Sequence, residues 1–65
     1  MYIKKSSIRK MLKEAGAQRV SKEALDAFHQ TINKLAFDAA SKSVKLSKHA
    51  KRKTVEESDI KLAFQ

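Results

Sequence analysis

Apolar residues along this chain recur every three or four positions, the period of an amphipathic helix rather than the alternation of a strand. A first helix is expected through Ile8, Met11 and Leu12, with Ser6 or Ser7 as its N-cap. Gly16 stands where a helix C-terminus wants a residue that accepts positive φ. Ala17-Gln18-Arg19-Val20 makes a short connection, and Ser21 is the next N-cap candidate, with Glu23 in the turn that follows.

Nothing interrupts the helical pattern from Lys22 to about His49, a length on the order of 42 Å at 1.5 Å per residue. Leu25, Phe28, Ile32, Leu35, Ala36, Ala39 and Leu46 form one stripe on it, and Phe37, Ala40 and Val44 a second, displaced one. Together they spread over a wider arc than the single face an ordinary surface helix buries. The chain's own short helices can cover one stripe; the other calls for a partner. Beyond Ala50 comes the basic link Lys51-Arg52-Lys53, then Thr54 and Glu57 at the spacing of a capping box. A last short helix follows, with Ile60, Ala63 and Phe64 as its buried side. The pattern predicts an all-α chain, short helix, loop, long helix, loop, short helix, read as a single domain over residues 1–65.

Composition strengthens the case for a partner. A chain of 65 residues buries only about 60% of the surface its unfolded form exposes, and ordinarily needs a disulfide, a metal or a second chain. It has no cysteine, and His29 and His49 are its only histidines, too few for a metal centre without a carboxylate cluster around them. No metal or other cofactor is expected; an oligomer is. Lys and Arg number 15 against 7 Asp and Glu, a net charge of +8, and such a field favours polyanions. Nucleic acid is the first candidate. An anionic membrane surface is the rival, but the apolar arc of the long helix is too wide to lie flat on a bilayer. No run approaches the roughly 18 apolar residues of a spanning helix, and the start does not read as a signal peptide. A cytoplasmic location is expected.

The carboxylates are scattered among lysines, as in solvated helix faces with i,i+4 charge pairs. There is no Gly-rich phosphate loop and no nucleophile set beside a histidine, so no catalytic residue is assigned and no small-molecule substrate is expected. The cations say more. Lys42, Lys45, Lys48, Lys51, Arg52 and Lys53 follow one another without an acid between them. The first three fit a solvated helix face as well as a binding one. The loop triplet adjoins the start of a capped helix, where backbone N–H groups favour a phosphate. Arg19 has a similar setting ahead of the long helix.

Three segments carry a family likeness: Ala15-Gly16-Ala17-Gln18-Arg19-Val20-Ser21, His49-Ala50-Lys51-Arg52-Lys53-Thr54-Val55, and Asp59-Ile60-Lys61-Leu62-Ala63. At these separations they resemble an archaeal histone, over essentially the whole chain from about Ile8 to Phe64. The resemblance implies a histone fold, an intertwined dimer whose central helices cross antiparallel. The first loop of one chain then lies beside the second loop of its partner, where Val20 and Val55 suit a short strand-like bridge. It further implies Arg19 as a minor-groove arginine, Thr54 steadying it, Lys53 and Lys10 on phosphates, and an intrachain ion pair between Arg52 and Asp59. Histone wrapping of DNA is the standard example of this binding mode. A face made of Leu46, His49, Asp59 and Leu62 is implied to join dimers into tetramers or longer assemblies.

This chain departs from the family in its proline-free start, Tyr2-Ile3-Lys4-Lys5-Ser6-Ser7, and in Lys51, at a loop position that is often glycine. The sequence runs to Gln65, and with no tail expected beyond it, little regulation by modification is expected. The expected function is compaction of double-stranded DNA on the chromosome by a homodimer, or by a heterodimer with another histone. Affinity would come from counterion release and any sequence preference from DNA bendability. The alternative is a histone-fold subunit of a heterodimeric transcription factor.

Overall fold

The computed structural model describes residues 2–65, and among them forms three helices: α1 (Lys5–Glu14), α2 (Lys22–His49) and α3 (Glu57–Ala63). The order short, long, short is the one the periodicity predicts, and the class is all-α. Two compact units divide within α2, the first ending at Lys34 and the second spanning Leu35–Gln65.

In the first unit, α1 starts earlier than its serines suggest. Lys4, not Ser6 or Ser7, is the N-cap, with φ −76° and ψ 149° and no side-chain capping bond. Its carbonyl accepts from the Ser7 and Ile8 N–H groups at 3.1 and 3.2 Å. The reason lies one residue upstream, where Ile3 is tied to α2. Its N–H donates to Asn33 Oδ1 at 2.7 Å, and its carbonyl accepts from His29 Nε2 at 2.7 Å and Asn33 Nδ2 at 3.3 Å. A carbonyl only accepts, so Nε2 carries the His29 proton. Asn33 Nδ2 also donates to the His29 carbonyl at 2.7 Å, and Lys5 Nζ lies 2.8 Å from Asp26 Oδ1. The proline-free start is therefore a strap held by buried polar side chains. At the other end of α1, Gly16 takes φ +115°. Its N–H bonds to Lys13 O and that of Ala17 to Leu12 O, both at 3.0 Å, the paired bonds of a Schellman motif. Ser21 caps α2 as expected, its Oγ accepting from the Ala24 N–H at 3.0 Å.

In the second unit, α2 ends in a second Schellman motif. The Lys51 N–H reaches Lys48 O and the Arg52 N–H reaches Ser47 O, both at 2.9 Å, and Lys51 is left-handed at φ 58°. The capping box of α3 is not Thr54 with Glu57. The helix begins at Glu57, and the box is formed by Glu56 and Asp59. The Glu56 N–H donates to Asp59 Oδ2 at 2.9 Å. Asp59 is held there by Arg52 as well, so a tertiary ion pair selects this register over the local Thr-x-x-Glu pattern.

The apolar core of the single chain is small. Only Ile8, Leu25 and Ala39 are buried apolar residues among those described. Much of the buried side of α2 is polar: His29 and Asn33, then Ser43 and Ser47, whose hydroxyls donate back to Ala39 O at 2.8 Å and Val44 O at 2.9 Å. The first apolar stripe is covered only in part, with Phe28, Ile32, Ala36 and Leu46 half-buried and Leu35 exposed. Phe37, Ala40 and Val44 of the second stripe are exposed. So are Met11, Val55, Ile60, Leu62 and Phe64.

Candidate nucleic-acid interface

The second loop is built around Arg52. Its Nη1 donates to Asp59 Oδ2 and its Nη2 to Asp59 Oδ1, each at 2.9 Å, the two-pronged geometry that makes guanidinium–carboxylate pairs directional. Nη1 also donates to the Thr54 carbonyl at 2.9 Å, and Glu56 Oε1 lies 3.4 Å away. One side chain thus ties the end of α2, the loop backbone and the first turn of α3. The Arg52 hydrogen bonds pull the Asp59 pKa from its ordinary 3.8 to about 2; the Glu56 N–H adds to this and burial opposes it. The same pair raises the Arg52 pKa.

Lys51, Lys53 and Thr54 all stand exposed on this fixed loop. In the first unit Arg19 is exposed on the loop before α2, and Lys10 is exposed on α1. Lys13 Nζ closes across the base of that first loop onto Gln18 O at 2.6 Å. Both loops therefore present cations from a braced backbone. Val20 is half-buried and Val55 exposed, and no strand forms among the described residues.

Of the four residues assigned to joining dimers, His49 and Leu62 are exposed and Leu46 is half-buried. Asp59 differs. Its side chain is only 4% exposed, and of its four acceptor positions three serve Arg52 and the Glu56 N–H. One lone pair, on Oδ1, is left for anything outside the chain. No helix among the described residues is long and apolar enough to cross a membrane. No group of three or more His, Cys, Asp or Glu among them could hold a metal ion.

The family model for histone-like transcription factor (CBF/NF-Y) and archaeal histone matches residues 1–64. The chain belongs to this family. Curated relatives include Probable archaeal histone 3 of Methanocaldococcus jannaschii, 50% identical over 86% of this chain and 84% of that protein. One chain of the archaeal histone HAN1 of Thermococcus zilligii is 36% identical over 89% of this chain and 87% of its own length. Both relatives are histones by name. That favours a DNA-binding architectural protein of chromatin over a component of a transcription factor, and the braced basic loops and the +8 charge agree with it. Histone-family membership also accounts for the exposed apolar residues, because the family's unit is a dimer.

Two features of this histone-family chain escaped the reading of its sequence. The strap contacts of His29 and Asn33 were missed, although two polar residues four apart beside Leu25 and Ile32 are a visible interruption of an apolar stripe. The Glu56 cap was missed because Thr54 offers the stronger local pattern, and nothing local reveals where Arg52 holds Asp59.

Proposed function

We propose that this chain forms a homodimer that wraps duplex DNA with little sequence preference. Its contacts are with phosphates through Lys10, Lys51 and Lys53, and with the minor groove through Arg19, steadied by Thr54 of the partner. The observation that carries this reading is the Arg52 brace. A loop tied at Asp59 and at the Thr54 carbonyl meets a phosphate with little ordering cost left. The partner's first loop supplies Arg19 beside it. Sequence enters through how readily the duplex bends and how narrow its minor groove is.

The dimers join in turn through Leu46 and Leu62 at the centre of a two-fold contact, with His49 reaching the free lone pair of Asp59 on the neighbouring dimer. A closed two-fold contact has to be self-complementary, and this set is.

Binding measured against salt tests the first part. Log affinity falls linearly with log salt, and Lys53→Ala reduces the slope by about one unit without changing sequence preference. Arg19→Ala weakens binding while leaving the dimer folded; binding as tight as the parent's excludes the minor-groove role. For the second part, Leu46→Glu combined with His49→Asp leaves a DNA-binding dimer that protects only one short fragment from nuclease. An unchanged fragment ladder excludes this face.

A further inference from the structure

A shallow, open depression at the C-terminal end of α2 is lined by Lys45, Lys48, His49 and Lys51, largely through their side-chain stems. The first three are three and four apart and share a side of the helix. The turn at Lys51, left-handed at φ 58°, adds the fourth. All four are exposed, and no acid is among them. The acids that follow in this unit are engaged elsewhere: Glu56 and Asp59 with Arg52, and Glu57 with Lys61 at 3.4 Å. Asp38 lines a different hollow, with Lys42, Ala63 and Phe64. The basic hollow includes His49, one of the four residues assigned above to joining dimers, so it adjoins that face.

We propose that this hollow takes phosphate oxyanions, and that their binding gates the joining of dimers. The inference rests on the Leu46–His49 face being the one through which dimers meet. A two-fold contact there brings the same three lysines from both sides toward one another. The Arg52–Asp59 pair is neutral as a unit, so it does not offset them. Joined without an anion, the face repels itself. A phosphate group offers several acceptor oxygens to the three ammonium donors, leaving His49 to Asp59, and carries the charge the face lacks. By linkage, an anion that binds the joined form more tightly must promote joining by the same factor. Simple salt only screens. The phosphate can come from the DNA backbone or from a free inorganic polyphosphate, and the chemistry of the hollow is the same for both.

Sedimentation equilibrium of the full chain at constant ionic strength separates these cases, in sodium chloride alone, with inorganic tripolyphosphate, and with a short duplex. The parent is expected to remain dimeric in chloride, and the added phosphate to tighten dimer–dimer association by about tenfold or more. The variant Lys45→Ala, Lys48→Ala, Lys51→Gly is expected to join in chloride alone and to gain nothing from tripolyphosphate. If only the duplex acts on the parent while the variant still joins unaided, the gate stands and its phosphate is that of DNA. A parent that joins equally well in chloride overturns the gate and leaves the face intact. So does a triple variant that still needs tripolyphosphate. The Leu46→Glu, His49→Asp variant tests the face separately: if it joins as the parent does, dimers meet elsewhere and the gate falls with the face.

Discussion

Lys51 and Asp59 show what single residues decide here. A left-handed lysine at φ 58° carries a backbone penalty that glycine avoids. Lys51→Gly is therefore expected to raise stability by up to ~1 kcal/mol, read from urea unfolding, while weakening DNA binding through the lost charge. Asp59 has a pH signature. Its folded pKa of about 2 lies below the ordinary 3.8, so its stabilisation is fully present above about pH 4 and is lost as the pH falls through about 2. Urea midpoints at about pH 5 and about pH 2.5 should differ less in Asp59→Asn than in the parent. The curve becomes flatter rather than flat, because the Lys5 hydrogen bond also lowers the Asp26 pKa.

At the level of elements, the helix ends carry most of the specification. Both loops leave their helices through Schellman motifs, at Gly16 and at Lys51, and both long and short successors begin on a side-chain cap. The caps make opposite predictions for two neighbouring residues. Glu56→Ala removes half of the α3 capping box and should cost ~1 kcal/mol of stability. Thr54→Ala should leave stability unchanged within error, since the side chain takes no part in the cap, and should act only on DNA binding. Equal destabilisation by the two substitutions in thermal unfolding would contradict the register of α3. The Ile3 strap is a further device at this scale: it starts α1 at Lys5 through His29 and Asn33 rather than through a serine cap.

For the whole molecule, the decisive quantity is how little one chain buries. The three buried apolar residues among those described, Ile8, Leu25 and Ala39, cannot offset the conformational entropy of ordering some sixty residues at roughly 1–2 kcal/mol each. Folding is therefore expected to be coupled to pairing, and the unfolding midpoint should rise with protein concentration. Replacing Phe37 and Val44, at 50% and 40% exposure in the single chain, by glutamate should abolish the dimer and the helical circular dichroism together. A folded monomer of that variant would refute the coupling.

The amino-acid sequence by itself determined the helix plan, the need for a partner and the preference for polyanions, because period, length and charge are local or additive properties. Gly16 and Ser21 were legible for the same reason: a positive φ and an N-cap are requirements of one turn of chain. The tertiary structure alone decided where α1 and α3 begin, which polar side chains α2 buries, and that Asp59 also caps α3 through the Glu56 N–H. Those depend on contacts that reach beyond a single turn of chain, Ile3 with Asn33 and Arg52 with Asp59, whose hydrogen bonds outweigh the capping preferences of Ser6, Ser7 and Thr54. Period alone suggests that the chain's own short helices can cover the first apolar stripe. One chain covers it only in part, since two helices of 10 and 7 residues offer too little surface to enclose one of 28.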